Sequence, residues 1–204
     1  MATLALALYG VYLVLAFGLR TLIQLRRTGS TGFHGLGGRP GSAEWIAGVG
    51  FTVALLVGVA APVLALLDVV EPIAALDTTA AHVAGLVLAV GGIGLTFYAQ
   101  VAMGASWRIG VDHEERTQLV TTGPFALVRN PIFAAMLPTA LGLTLLVPSW
   151  VALAGLAGLV VALELPVRVV EEPYLLRAHG PTYATYAARV GRFLPGIGRL
   201  RRAG

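Results

Sequence analysis

The chain has 204 residues, 57% of them hydrophobic and only 12% charged, where a soluble domain carries about 25% charged residues. Its +4 formal charge comes from 14 arginines with no lysine, and cysteine is absent. These figures describe an integral membrane protein rather than a nucleic-acid binder, and they exclude disulfides, thiolate metal sites and a cysteine nucleophile.

Four or five apolar runs are long enough, at roughly 20 residues, to cross a hydrocarbon core. The first covers about Leu4 to Leu19 and closes with Arg20, Arg26 and Arg27. It lacks a basic leader and a cleavage site of small residues, so it reads as a retained helix rather than a signal peptide. A Gly-rich linker from Thr28 to Gly41, carrying Arg39, reads as a solvent-side loop. The second span covers about Trp45 to Leu67. The next loop, Asp68 to Thr78, holds Asp68, Glu71 and Asp77 but no arginine. The third span covers about Ala80 to Met103. The fourth runs from Pro131 to Val147, and Pro148-Ser149 turns the chain into the fifth, Trp150 to Pro166.

All the arginines fall on one side if odd spans run inward and even spans outward. The expected fold is therefore all-α: a polytopic helix bundle of about five transmembrane helices, N-terminus outside and C-terminus in the cytoplasm. A cytoplasmic re-entrant segment and a helical C-terminal tail complete it. The polar rim is the loop from Ala105 to Asn130 and the tail from Val167 onward, both too short for a core of their own. The whole chain, 1–204, reads as one membrane domain with its chemistry at the cytoplasmic mouth.

Two polar blocks stand out against the apolar background. One is LVTTGPFALVRNPIF, from Leu119 to Phe133; the other is RVVEEPYLLRAHGPTYATYAARVGRFLP, from Arg168 to Pro195. In the first, Gly123-Pro124 makes a turn, Asn130 is placed to cap the fourth span, and Pro131 suits its first turn. The free N–H groups of that helix start, reinforced by Arg129, suit an anionic group. In the second, Glu164, Arg168 and Glu171/Glu172 share one helical face. That ladder serves equally to let a helix leave the membrane or to line a charged pocket. Pro173 biases Glu172 away from helical geometry, so a helix break is expected there.

Other polar residues have plainer explanations. Gln100, one turn from the end of the third span, faces either the pocket or a neighbouring helix. His82, Trp45 and Trp150 read as interfacial. Gly91-Gly92-Ile93-Gly94 lies inside a span and precedes no strand, so close helix packing explains it better than nucleotide binding. No His/Asp/Glu cluster has metal spacing.

The two blocks together resemble the isoprenylcysteine carboxyl methyltransferase family and its relatives among phospholipid N-methyltransferases. The matching residues are Gly104 and Trp107, the run LVTTGPFALVRNPIF, and then Arg168, Glu171-Glu172, Leu175, His179-Gly180, Tyr183, Tyr186, Arg189-Val190 and Leu194-Pro195. They cover about half the chain in order. The resemblance implies S-adenosylmethionine as methyl donor and a lipid-like or prenylated acceptor entering from the bilayer. By similarity, Arg129, Asn130, Pro131, Glu171, Glu172, His179 and Tyr183 would border the cofactor, and Gln100, from its place near the end of the third span, is a further cofactor-binding candidate. Arg168 and Glu171 would serve catalysis, with Trp107 and Arg168 at the acceptor.

The chain departs from the family in having Arg129-Asn130-Pro131 where Arg-His-Pro is usual, and an asparagine is no base near neutral pH. A carboxylate acceptor needs none, because methyl transfer from a sulfonium depends on positioning two reactants. An amine or thiol acceptor, as in a phospholipid methyltransferase, would need Glu171, Glu172 or His179 as base. The competing expectations are an NADPH-dependent membrane reductase of related fold and a non-catalytic scaffold.

Overall fold

The computed structural model describes residues 1–32, 39–107 and 119–200. The centre of the Gly-rich linker, the Arg108 to Gln118 part of the polar loop and the last four residues lie outside the described residues. The described chain is helical, its one bridge between extended segments joining Val128 to Gly191.

Helix α1 is Ala2–Thr28, and α2 is Ala43–Leu66. Next come α3, Thr79–Ala102, and α4, Pro131–Leu146. The last two are α5, Trp150–Pro166, and α6, Glu172–Arg189. Three of them begin at side-chain caps: Ser42 accepts from the Trp45 amide, Thr78 from Ala81 and Ser149 from Ala152, each at 3.2 Å. Such a cap occupies one of the donors a helix start leaves open. Asn130 holds the cap position of α4, but its side chain makes no capping bond. It donates instead to the Arg192 carbonyl at 3.4 Å.

Helices α1, α2, α3 and the joined α5–α6 are long and apolar enough to cross a membrane. The sixteen residues of α4 rise about 24 Å, short of a hydrocarbon core of about 30 Å. It packs along a longer helix, since α3 and α4 form one of the two most extensive helix pairs and α2 with α5 the other. Backbones approach closely where small residues meet. A Cβ added to Gly92 would stand 2.7 Å from the Thr139 amide of α4, whereas Gly91 and Gly94 have nothing within 4 Å. Only Gly92 of that cluster serves the packing.

Two expected boundaries move. Helix α1 does not stop at Leu19 but continues through a π-helical turn, Val14–Leu19, to a left-handed cap at Gly29. Its last two turns are amphipathic, with Arg20 and Gln24 buried and Arg26 and Arg27 exposed. The drop in hydropathy marked a change of face rather than the helix end.

Nor does the chain break at Pro173. A π-helical turn, Val167–Glu171, carries α5 into α6, and Pro173 falls in the first turn of α6, where a missing N–H is tolerated. The real kink is at Gly180, whose φ of 51° and ψ of −129° are non-helical.

Candidate functional site

The two polar blocks meet. Beyond its kink, α6 ends at Arg189, and the chain turns back to run beside Val128–Asn130. The Arg129 amide donates to the Gly191 carbonyl at 2.8 Å and the Asn130 amide to the Arg192 carbonyl at 3.0 Å. Short extended pairing of this kind sets the side chains of 129 and 192 at one locus, against the start of α6.

Glu172 is at the centre, 5% exposed. Arg192 grips its carboxylate with two bonds, Nε to Oε1 at 2.8 Å and Nη2 to Oε2 at 2.9 Å. Arg129 Nη2 donates to the same Oε1. Burial opposes ionisation of Glu172, but the hydrogen bonds from Arg192 and Arg129 outweigh it and hold the carboxyl below its ordinary range. Arg129 also donates through Nη1 to the Ala187 and Val190 carbonyls at 3.1 and 2.5 Å, and through Nη2 to Gly198 at 3.0 Å. It thereby satisfies carbonyls that the end of α6 leaves open.

Glu164 belongs to the same cluster, in the last turn of α5. Arg192 Nη1 stands 3.6 Å from its Oε1. In a regular helix Glu172 would lie about 80° round from Glu164. The wider π turn slows that rotation, so both carboxylates reach one guanidinium. Arg168 lies outside. Its side chain is 57% exposed and its Nε donates to Glu164 Oε1 at 2.5 Å.

Tyr183, 2% exposed, and Tyr186 close the cluster, their rings 6.1 Å apart. The Tyr186 hydroxyl donates to the Phe125 carbonyl at 2.6 Å, tying α6 to the turn before Arg129. Burial raises its pKa to about 12, the charge of Arg129 partly opposing this. Glu171, at the end of the π turn, and His179, on α6, are half-buried.

Of the residues expected from sequence, Arg129, Asn130, Pro131, Glu171, Glu172, His179 and Tyr183 lie on the segments that converge here. Gln100 and Trp107 do not join them. The Gln100 carboxamide donates to the Ala16 carbonyl of α1 at 3.0 Å, and Trp107 packs its ring on Arg20, 4.6 Å from the guanidinium carbon. Sequence reasoning left Glu164 and Arg192 out of the site. Glu164 was visible in the acidic ladder, whereas nothing in RVGRFLP distinguishes Arg192 from Arg189. Among the described residues no group of three or more potential ligands could hold a metal ion.

Comparisons with known proteins bear on the family and the fold. A family model described as phospholipid methyltransferase matches residues 80–182, just over half the chain. The nickel-cobalt-cadmium resistance protein NccN of Alcaligenes xylosoxydans xylosoxydans is 29% identical over 120 residues, 58% of this chain and 54% of that one. The cobalt-zinc-cadmium resistance protein CzcN of Cupriavidus metallidurans is 31% identical over the same shares. The matched region spans about half the length of these curated relatives. The solved structure of a eukaryotic intramembrane Ras methyltransferase, isoprenylcysteine carboxyl methyltransferase, superposes with a TM-score of 0.64 at 18% identity. That match covers 97% of this chain and 69% of the other. A bundle of membrane-spanning helices, gathering two polar blocks at one end and matched by both family model and fold, places this integral membrane protein in the phospholipid methyltransferase family.

Proposed function

We propose that the chain is an S-adenosylmethionine-dependent methyltransferase working at the cytoplasmic membrane face on a lipid-like acceptor, with a carboxylate as the accepting group. The observation that carries this reading is a pair of buried, unpartnered atoms of opposite demand at the cluster, Arg129 Nε and Glu164 Oε2. Buried polar atoms in a folded protein ordinarily have partners. A ligand with a carboxylate and an ammonium, as at the methionine end of the cofactor, would complete both.

The residues present fit such a group. Arg129 and Glu164 would hold the amino-acid end, Tyr183 and His179 would cover it, and Asn130 and Pro131 would form the floor. Glu172 has a different role from the one its motif implies. With both oxygens held by arginines, it sets the guanidinium planes rather than meeting the ligand directly. When bound, the cofactor supplies an electrophilic methyl on a sulfonium, taken in line by the acceptor. A carboxylate acceptor requires no base, which suits a site whose buried carboxylates are already paired with arginine. An acceptor entering between apolar helices would bring its accepting oxygen in poorly hydrated.

Calorimetric titration of S-adenosylmethionine into the detergent-solubilised protein tests this, with wild type beside Glu164→Gln. Binding in the wild type, weakened about ten-fold in the variant at unchanged melting temperature, is expected for the loss of one charge-assisted bond. A folded wild type that takes up NADPH but not S-adenosylmethionine would overturn it.

A further inference from the structure

Eight buried side-chain nitrogen or oxygen atoms make no hydrogen bond among the described residues, although His82 Nε2 stands 3.0 Å from Asp77, and four of the eight belong to two helices outside the Glu172 cluster. They are Arg20 Nη1 and Gln24 Oε1 on α1, with Thr96 Oγ1 and Gln100 Oε1 on α3. Spacing of four residues puts each pair on one face of its helix. Bonds from Arg20, Gln24 and Gln100 tie α1 to α3 and to the residues just after it. Arg20 Nε donates to the Gln100 carbonyl at 3.2 Å and Nη2 to the Gly104 carbonyl at 2.6 Å. Gln24 Nε2 donates to Ala105 at 2.9 Å. Arg20 therefore presents one edge of its guanidinium to backbone and one face to the Trp107 ring, and leaves Nη1 open.

Charge makes this arrangement unusual. Arg20 is 0% exposed and sits eight residues before the end of α1, about 12 Å along the helix. Arg129 and Arg192 are buried with carboxylates against them, whereas every described partner of Arg20 is a neutral carbonyl or ring. A buried cation among apolar helices calls for a counter-anion. Carbonyl dipoles and an aromatic face relieve part of that demand. The open Nη1 is where the rest would be met, and the unpartnered carboxamide oxygens of Gln24 and Gln100 call for N–H or O–H donors. Among the described residues that partner is absent, and an oxyanion carrying or hydrated by donors would supply it.

We propose that Arg20, with Gln24 and Gln100, binds the anionic head of a membrane amphiphile, a carboxylate or a phosphate, with Trp107 packed over the guanidinium. The site stands whether or not the methyltransferase reading does, and Arg20 is the one described buried arginine that has no acid against it.

Fluorescence from Trp107 alone, in a Trp45→Phe, Trp150→Phe protein held in neutral phosphatidylcholine nanodiscs, tests the site. The probes are an α-bromo fatty acid, whose bromine lies beside the carboxylate and quenches a neighbouring indole, and the corresponding neutral bromo-alcohol. Saturable quenching by the acid but not the alcohol, displaced by an alkyl phosphate, is expected. Arg20→Gln should weaken it about ten-fold, the loss of a charge-assisted partner. Gln24→Met leaves both backbone bonds of Arg20 intact; it should weaken quenching if Arg20→Gln fails to fold. Equal quenching by acid and alcohol, or affinity unchanged in the variants, would overturn the proposal. So would displacement of the probe by S-adenosylmethionine, which would give the cation to the cofactor's carboxylate. Cofactor binding in the same samples is scored separately, so its failure removes the methyltransferase reading and leaves the anion site standing.

Discussion

Arg129 and Glu172 stand 43 positions apart in the chain and form an ion pair whose side chains are 2% and 7% exposed. Their contact is what turns two ordered sequence blocks into one site. A buried pair of this kind contributes little net stability when intact, but removing one partner strands a charge and costs about 3–5 kcal/mol. Arg129→Gln is therefore expected to lower the melting temperature sharply in detergent. Arg129→Lys should recover only part, because one ammonium cannot reach Glu172 and three carbonyls at once. Equal melting of wild type and Arg129→Gln would show that the pair is not buried in solution.

The same cluster sets an acid limit. Burial works against the charged form of Glu172, but bonds from Arg192 and Arg129 more than offset it, so its folded pKa lies below the ordinary 4.5. A depressed folded value means that the stabilisation is complete above the unfolded pKa and is lost as pH falls through the folded one. Thermal stability should thus be insensitive to this group at neutral pH and decline once pH drops below that ordinary value. The decline should be shallower in Glu172→Gln, which has no proton to take up there. Parallel profiles for the two proteins between neutral pH and pH 3 would remove Glu172 from the acid transition.

How much of this was legible in sequence depends on which physical signal each part leaves. Hydropathy located the helices and the order of the polar blocks pointed to the family, because both are recorded locally along the chain. Helix ends at amphipathic turns were misread: Arg20 and Gln24 look like a span's polar finish until packing shows them facing α3. The π turns at Val14–Leu19 and Val167–Glu171 leave no composition signal, so regular spacing put Arg168 on the inner face with Glu172. Arg192 was invisible for another reason. Its role exists only because the tail folds back beside Val128–Asn130, a contact between positions that neither periodicity nor capping rules connect.

Packing between α3 and α4 gives a test that separates position from composition. A Cβ on Gly92 would meet Thr139, while one on Gly91 would meet nothing within 4 Å. Gly92→Ala is expected to destabilise by about 1–3 kcal/mol through overpacking. Gly91→Ala should be neutral or stabilising, since alanine is the better helix former by up to about 1 kcal/mol. Equal losses from both substitutions would mean that the helix pair is rotated from the arrangement described here.

Arg168 and Arg192 both touch Glu164, yet they should respond differently to the same change. The Arg168–Glu164 pair is formed by a side chain 57% exposed, and such pairs are worth about 0–1 kcal/mol. Arg192 has a side chain only 10% exposed, and it holds Glu172 through both oxygens as well as approaching Glu164. Arg168→Gln should therefore leave the melting temperature and cofactor affinity close to wild type. Arg192→Gln should lose about 3 kcal/mol or more by leaving buried carboxylates short of positive charge. It should also weaken cofactor binding, because Glu164 and Arg129 then lose their shared reference point. Differential scanning fluorimetry and calorimetry on the two variants decide the matter. If Arg168→Gln abolished binding while Arg192→Gln did not, the functional face of α5 would be the outer one, and the ladder read from sequence would be restored over the cluster seen in the fold.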